Sequence, residues 1–231
     1  MPPGFYRLAA IASWLSVLTT LGLIFLPDLY APGDGFAARM ERVEDPAYRL
    51  RAWIYLAHPF LVGFAALAVA LRLRREAPAW VLPGGLGFGL WAATEAGQQT
   101  LTLFAFDRWR RAWLAGDAAV RAAMTERAAI YDGLWDAMYV LLLLGFLIGC
   151  ACYAVAMIRQ RGLARIVGLL YAVAAGLTLA QLSLEAGGPG LPEALAPWLY
   201  PAFQPLARLL IGVWLWRHAR EGVRLAGADR R

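Results

Sequence analysis

The sequence predicts an all-α fold, a polytopic bundle of six transmembrane helices with both termini in the cytoplasm. Three observations predict it. Hydrophobic residues make up 61% of the 231 positions and the mean hydropathy is +0.53, which is too apolar for a soluble domain of this length. The apolar residues fall into six runs, each close to the ~20 residues that a helix needs to cross a bilayer. Arginine is concentrated in every second short connection between these runs, and in a six-span protein those connections lie on the same side of the membrane.

The six apolar segments form a single domain over 1–231. In chain order they cover 5–27, 49–71, 80–106, 128–157, 163–185 and 197–217. The connections are short except at 28–48 and 107–127, and no stretch is left for a soluble domain. Behind Asp117, residues 118–129 are typical of a short capped helix on the membrane surface. We expect Arg108, Arg110 and Arg111, which alternate with tryptophans, to lie at the headgroups.

Basic residues orient the segments. The stretches LRLRRE at 71–76, RQRGLAR at 159–165 and RHAREGVR at 217–224 follow the second, fourth and sixth segments. By contrast, the connection EAGGPGLPEALAP at 185–197 has no basic residue. Cytoplasmic connections carry the excess of arginine and lysine, so we expect a multi-pass protein of a bacterial inner membrane. Because the arginines serve this topology, we expect no nucleic-acid partner.

Each segment also carries a stripe of polar or amphipathic side chains. By segment, they are Ser13, Ser16 and Thr20; Arg51, Tyr55 and His58; Trp91, Glu95, Gln98, Gln99 and Thr102; Asp132, Asp136 and Tyr139; Thr178, Gln181 and Glu185; and Gln204 and Arg208. Nearly all of them lie in the half of their segment nearer the outside. The inner halves, such as 61–73 and 140–157, are almost free of hydrogen-bonding side chains. This sorting by depth predicts one polar cavity that opens to the outer face above an apolar floor.

Among the predicted cavity residues, Arg208 has the greatest need of a charged partner. It lies about ten residues into the sixth segment, hence near mid-depth. A charge there costs roughly 2.5–3.5 kcal/mol on the insertion scale. Arg208 therefore needs an acidic partner, for which Glu95 and Asp136 are the candidates, with His58 placed to bridge or tune the pair. The pair is either part of a functional site or a structural ion pair that holds the bundle together.

Metal and haem sites find little support in the residue spacing. A zinc site built from His58, Glu95 and Asp136 is stereochemically possible, but no HExxH-type spacing accompanies it. Haem ligated by two histidines is disfavoured, because His218 lies past the cytoplasmic end of the sixth segment, far in depth from His58. In the stretch PGGLGFG at 83–89, the small-xxx-small spacing of Gly85 and Gly89 predicts close helix packing.

Three stretches carry a resemblance to a known family. They are FYRLAAIASWLSVLTTLGLIF at 5–25, APAWVLPGGLGFGLWAATEA at 77–96 and YVLLLLGFLIGCACYAVAMIRQRGLARIVGLLYAVAAGL at 139–177. Together they resemble the bacterial six-helix membrane proteins catalogued as domain of unknown function 4386. The resemblance implies the six-helix fold and an unknown function, and it transfers no catalytic residue. The combination of Glu95, Asp136 and Arg208 departs from the family pattern.

Three classes of function are open. In the first, the cavity binds a small amphiphilic or lipid-like ligand, with Arg208 holding an anionic or carbonyl group. Glu95 or Asp136 would then serve as acid or base and His58 would relay a proton; whether a reaction follows is open, since no nucleophile motif is present. The further predicted ligand-binding residues are Gln98, Gln99, Gln204, Gln181, Tyr55, Trp91 and Tyr139.

The second class is a proton- or ion-coupled transporter that uses the same carboxylates. Six helices without an inverted repeat are few for alternating access unless the protein forms a homodimer, which the sequence leaves open. The third class is a non-catalytic membrane assembly subunit whose polar cluster is a structural ion pair. We favour the first class in its binding form.

Overall fold

A computed structural model describes residues 1–30, 35–192 and 196–228, of which 196–200 and 222–228 are described as backbone only. In this part of the chain there are helices and connections and no strand. The helices are α1 (Pro3–Phe25), α2 (Phe36–Glu41), α3 (Pro46–Leu73), α4 (Pro78–Leu101), α5 (Asp107–Ala115), α6 (Ala118–Ile158), α7 (Leu163–Glu185) and α8 (Ala196–Ala228). Short 3-10 helices follow α1 and α2, at Leu26–Leu29 and Arg42–Glu44, and a π-helical turn at Thr102–Phe106 joins α4 to α5. Residues 31–34 and 193–195, both in predicted connections, lie outside the described residues.

Helices α1, α3, α4, α6, α7 and α8 correspond to the six predicted segments. By length and composition, four of them (α1, α3, α6 and α7) are apolar enough to cross a membrane, as expected of a membrane-embedded protein. Helices α4 and α8 are not among the four. Their polar residues, chiefly Glu95, Gln98 and Gln99 in α4 and Arg208 in α8, lower the hydropathy of those helices.

The segment that precedes the fourth span differs from the prediction. Asp117 caps a helix as expected, because its Oδ1 accepts the N–H of Val120 at 3.0 Å. However, that helix does not stop near residue 129. It runs unbroken to Ile158 over 41 residues, about 60 Å at 1.5 Å per residue, roughly twice the hydrocarbon thickness of a bilayer. The first turns of α6 are therefore an extension of the span, not a separate surface helix.

The six long helices form a ring. Helix α8 packs against α1, α1 against α3, α3 against α4, α4 against α6 and α6 against α7, while sparser contacts between α7 and α8 close the ring. Helices α2 and α5 and the first turns of α6 cover one end, which we call the α5 end. The opposite end carries the α3–α4 and α6–α7 connections. In the second of these, Gly162 adopts a left-handed backbone with φ of +61°, a conformation that glycine tolerates best.

Helices α4 and α6 approach closely through glycines. A Cβ atom added at Gly87 would lie 2.6 Å from the backbone N of Gly149 and 2.7 Å from the backbone O of Gly145. The predicted pair, Gly85 and Gly89, does not make this contact, and a Cβ at Gly89 would meet nothing within 4 Å. Residues two apart on a helix point roughly 200° apart, so Gly85 and Gly89 turn away from α6 when Gly87 faces it.

A buried apolar core fills the half of the ring away from the α5 end. Val69, Leu73, Tyr153, Met157 and Val167 are all fully buried there. Tyr153, the largest of them, donates its hydroxyl hydrogen bond to the backbone O of Ala66 at 3.0 Å. This core corresponds to the apolar floor that the sequence predicts.

The glycine contact gives a test of the bundle. We expect Gly87→Ala to destabilise the protein by about 1–3 kcal/mol, the usual range for overpacking a tight core, because the methyl group would meet backbone atoms that cannot move independently. Gly89→Ala is the matched control and should unfold at or slightly above the wild-type temperature, since alanine is the better helix former. Thermal unfolding in a mild detergent measures both. Equal melting temperatures for the two variants would contradict the packing described.

Candidate functional site

Two adjoining cavities lie in the half of the ring nearer the α5 end. The first, which we call the vestibule, lies under α2 and α5 and has a volume of about 310 Å³. Its polar lining residues are Arg39, Tyr48, Arg51, Tyr55, Gln99, Thr102, Arg110, Tyr131 and Asp132. Ala52, Phe106 and Trp135 complete its wall.

The second, which we call the central cavity, has a volume of about 270 Å³. Its polar lining residues are Thr20, Arg51, Tyr55, His58, Glu95, Tyr139, Thr178, Gln204 and Arg208, and its apolar ones are Leu23, Ile24, Trp91, Leu142, Leu143 and Phe146. Because Arg51 and Tyr55 line both cavities, the two spaces share a wall. A narrow pocket of about 40 Å³ shares Arg208, Gln204 and Phe146 with the central cavity and extends among apolar side chains.

Glu95 and Arg208 face the same cavity without forming a contact ion pair. The exposed fractions of the two residues are 4% and 9%. Among the described residues, the ion pairs join Arg39 to Asp132, Arg72 to Glu76 and Arg110 to Asp107, and none of them includes Glu95 or Arg208. The predicted direct pairing of Arg208 with an acid is therefore not what the structure has, although Glu95 remains its electrostatic neighbour.

The Arg208 guanidinium has few hydrogen bonds for its five N–H donors. Its Nη2 donates to Gln204 Oε1 at 3.5 Å, a long bond, and its buried Nε has no partner in the described part of the chain. The backbone of α8 at Arg208 and Leu209 is held by hydrogen bonds from α1. Ser13 of α1 donates to the backbone O of Arg208 at 2.7 Å, and Trp14 donates to that of Leu209 at 3.3 Å. The helix is thus fixed while the guanidinium is left with spare donors.

The imidazole ring of His58 is positioned by a hydrogen bond to α1. Its Nδ1 lies 2.7 Å from Thr19 Oγ1, and Thr19 Oγ1 in turn lies 3.1 Å from the backbone O of Ser16. If the Thr19 hydroxyl donates to Ser16, as helical threonines commonly do, Nδ1 carries the imidazole proton. The other ring nitrogen, Nε2, is then an acceptor. His58 is 3% exposed and lines the central cavity.

The structure brings some predicted site residues together and leaves others out. Trp91, Tyr139 and Gln204 line the central cavity with Glu95, His58 and Arg208, whereas Gln99 lines the vestibule and Tyr55 lines both. Gln98 is buried but donates to the backbone O of Trp135 at 3.0 Å, so it ties α4 to α6.

Asp136 and Gln181 lie outside both cavities. Asp136 is exposed: it follows Trp135, a vestibule residue, and one residue turns a helix by roughly 100°. It is therefore neither the partner of Arg208 nor placed to act as acid or base there. Gln181 donates to Glu185 Oε1 at 2.8 Å at the end of α7. With Asp136 outside, His58 and Glu95 lack their third zinc ligand, and the described residues hold no group of three His, Cys, Asp or Glu suited to a metal.

Sequence reasoning missed the ion pairs of the vestibule. Arg39 of α2 and Asp132 of α6 form a bidentate pair. Arg110, predicted to lie at the headgroups, is 4% exposed, whereas Arg108 and Arg111 are exposed. Arg110 Nη1 donates to Asp107 Oδ1 at 3.0 Å and to the Tyr48 hydroxyl. The spacing of Asp107 and Arg110, three residues apart on a helix, was the signal that could have revealed this pair.

Burial and pairing shift two pKa values outside the candidate spans. Burial raises the pKa of Asp107, against the charge of Arg110, which lowers it. The hydrogen bond to Asp132 raises the pKa of Arg39, so that this arginine stays charged.

No family model, curated protein or solved structure matches the chain. The resemblance to the family of unknown function 4386 therefore stays a prediction.

The Asp107–Arg110 pair gives a test with a defined pH dependence. Arg110→Gln leaves a buried carboxylate without its cation, and we expect a loss of about 3–5 kcal/mol of stability near neutral pH. Without Arg110 the pKa of Asp107 rises further, because burial, the largest cause, remains while the lowering effect of the Arg110 charge and hydrogen bond is lost. A carboxyl group with a raised folded-state pKa destabilises the fold as pH rises through that pKa. The deficit should therefore shrink when the pH is lowered and Asp107 takes up a proton.

The matched control is Arg108→Gln, which changes an exposed arginine on the same helix. Its unfolding temperature should stay near that of the wild type across the pH series, measured in one detergent. An Arg110→Gln deficit that is equal at every pH would contradict the assignment of the effect to Asp107.

Proposed function

We propose that the chain is a six-span integral membrane protein whose central cavity binds a small amphiphilic or lipid-like ligand through Arg208. The observation that carries the proposal is the guanidinium of Arg208: this residue lines a cavity of about 270 Å³, and among the described residues its buried Nε has no hydrogen-bond partner and no carboxylate is in contact with it. In this proposal the vestibule is the entrance, and it opens toward the outside of the cell.

The packing of α4 and α8, the two less apolar helices, supports the proposal that each of them crosses the membrane. Helix α4 lies between α3 and α6, and α8 lies along α1, so each has a candidate span as its neighbour. A helix that is flanked in this way can turn its polar face inward, toward the cavities, and its apolar face toward lipid. Exposed Leu82, Leu86 and Leu90 of α4 and Leu206 and Leu209 of α8 are consistent with such a lipid-facing side.

The crossing of α4 can be tested by labelling single cysteines. In a background with Cys150→Ala and Cys152→Ala, the exposed residues Arg75, before α4, and Arg111, after it, are each replaced by cysteine. We expect Arg111→Cys to react with a membrane-impermeant maleimide on intact cells and Arg75→Cys to react only after permeabilisation. Equal labelling of both in intact cells would contradict a crossing of α4.

The energetics favour a ligand with an oxygen acceptor. A buried donor without a partner costs about 1–3 kcal/mol, and a guanidinium binds carboxylate and phosphate oxygens in a planar, bidentate manner. An anionic or carbonyl oxygen at Arg208 would satisfy the donors that the protein leaves open. The apolar side of the same cavity, with Leu142, Leu143 and Phe146, would contact the hydrocarbon part of an amphiphile.

Glu95 and His58 add acid–base capacity next to the bound group. Either one could exchange a proton with a ligand that Arg208 holds, with Thr19 fixing the imidazole ring of His58. The buried apolar core at the opposite end, with Val69, Leu73 and Met157, favours binding from one side over transport through the bundle.

The test is whether the protein retains a bound molecule when it is extracted from the membrane. Native mass spectrometry of protein extracted in a mild detergent should find a retained non-protein molecule in the wild type. We expect its occupancy to fall strongly in Arg208→Gln and in Glu95→Gln. The matched controls are Arg165→Gln and Glu185→Gln, which change exposed residues of the same types on α7, and they should retain it.

A wild type without any retained molecule, together with Arg208→Gln and Glu95→Gln variants that only unfold at lower temperature, would contradict the proposal. The polar cluster would then serve structure, as in an assembly subunit.

A further inference from the structure

We propose that the vestibule is a second binding site, separate from the central cavity, and that it takes a small oxyanion such as a phosphate or carboxylate group. The residues that would hold the oxyanion are Arg51 and Gln99. Neither Glu95 nor Arg208 lines the vestibule, so this site does not rest on the function proposed for the central cavity.

The first support is the charge of the vestibule wall. Three arginines and one carboxylate line it. The carboxylate of Asp132 is taken by Arg39 in a bidentate pair, and Arg110 has its own partner in Asp107. Arg51 is left over: no carboxylate of the described residues lies within 4.0 Å of it.

The contacts of Arg51 leave its guanidinium available for a ligand. Its Nε donates to the backbone O of Leu23 at 3.4 Å, and its guanidinium carbon lies 5.5 Å from the centre of the Tyr55 ring. Both contacts orient a guanidinium without neutralising its charge. An oxyanion is the group that would do so.

The second support is a surplus of donors. Gln99 is 3% exposed, yet its Nε2 has no hydrogen-bond partner in the described part of the chain, and the same holds for the buried Nε of Arg110. Both groups are N–H donors, and both residues line the vestibule. The wall carboxylate, Asp132, is already engaged. A cation would therefore find no free carboxylate here, whereas an oxyanion would meet the unneutralised charge of Arg51 and, after a small side-chain movement, the buried amide donor of Gln99.

The third support is a firm wall. The Phe106 ring stacks on Tyr131 with centres 4.1 Å apart, and the guanidinium of Arg110 lies 4.4 Å from the centre of the same ring. The hydroxyls of Thr102 and Tyr131 are hydrogen-bonded at 2.7 Å. Thr102 and Phe106 are the two ends of the π-helical turn, a feature that is frequent at functional sites.

The size of the vestibule also suits a hydrated oxyanion. A volume of about 310 Å³ is far above the ~10–15 Å³ that suffices to hold one water molecule. The oxyanion could be a free ion or the headgroup of a lipid, since both present the same oxygens. Because Arg51 and Tyr55 also line the central cavity, an oxyanion held here would lie in the entrance that we propose for that cavity.

The experiment measures binding of two probes to the full chain after delipidation in an uncharged detergent. The probes are radiolabelled inorganic phosphate, by equilibrium dialysis at ionic strength matched with chloride, and a short-chain phosphatidic acid, by native mass spectrometry. We expect Gln99→Glu, which places a carboxylate of nearly the same shape among the arginines, to weaken binding by about tenfold or more. Its unfolding temperature should be no lower than that of the wild type, because the new carboxylate would neutralise Arg51.

The matched control is Gln181→Glu, the same change on a glutamine outside both cavities. It should bind the probe like the wild type, and so should Arg208→Gln, because Arg208 does not line the vestibule. Phosphate binding with this pattern supports the site and a free ion. Binding of phosphatidic acid alone, with the same pattern, supports the site and a lipid headgroup.

Three results would overturn the inference: no binding of either probe by the wild type, undiminished binding by Gln99→Glu, or equal loss of binding in Gln99→Glu and Arg208→Gln. The last result would mean one continuous site and would leave the function proposed for the central cavity in place. Conversely, if native mass spectrometry finds no ligand that depends on Arg208, phosphate binding at the vestibule would still support the second site.

Discussion

The close approach of α4 to α6 at Gly87 sets the geometry on which the polar half of the bundle depends. With no side chain at Gly87, the backbones of Gly145 and Gly149 can come near enough to fix the rotation of α4 about its axis. On a helix with 3.6 residues per turn, Trp91 and Glu95 follow Gly87 along the same face. A rotation chosen by packing therefore carries a glutamate into the centre of the ring.

The charged residues that line the two cavities are arranged in two different ways. Near the α5 end, Arg39 and Arg110 each have a carboxylate partner. The Arg39–Asp132 pair ties α2 to α6, whereas the Arg110–Asp107 pair lies within α5, which Arg110 joins to α3 through the Tyr48 hydroxyl. Deeper in, Arg208 and Glu95 face a common space without touching. Removing charges from water is costly unless they are paired. The first arrangement follows that rule within the protein, and the second leaves room for a partner from outside.

Much of the fold follows from the sequence because a membrane helix must be long, apolar and capped by polar connections. All six long helices were predicted; α1, α3, α4 and α7 lie within about five residues of their predicted bounds, whereas α6 begins ten residues earlier and α8 ends eleven residues later than predicted. The predicted segregation of polar from apolar side chains is present, but as two adjoining cavities beside an apolar core and not as one cavity. The span of α6 was underestimated because Asp117 was treated as the cap of a separate helix, although the alanine-rich turns behind it continue without a break.

Rotation and tertiary pairing were harder to predict. Asp136 and Asp132 are four residues apart and share a stripe in the sequence, but the structure places Asp132 in the vestibule and leaves Asp136 exposed. Helix periodicity predicts the inward-facing side of a helix only to within tens of degrees. Packing against the neighbouring helices determines whether a residue at the border of that side points inward. Gly85 and Gly89 had the expected spacing for helix packing, yet Gly87 makes the contact. The burial of Arg110 depends on α3 and α5 meeting through Tyr48, which no local pattern reveals.

The most direct measurement of the central claim is a density map of the protein purified in nanodiscs with its native lipids, at a resolution that separates side chains from bound molecules. We predict non-protein density in the central cavity in contact with the guanidinium of Arg208, and no direct contact between Arg208 and Glu95. A cavity that is closed around a direct Glu95–Arg208 ion pair would contradict it, and would make these two residues a structural element of the bundle.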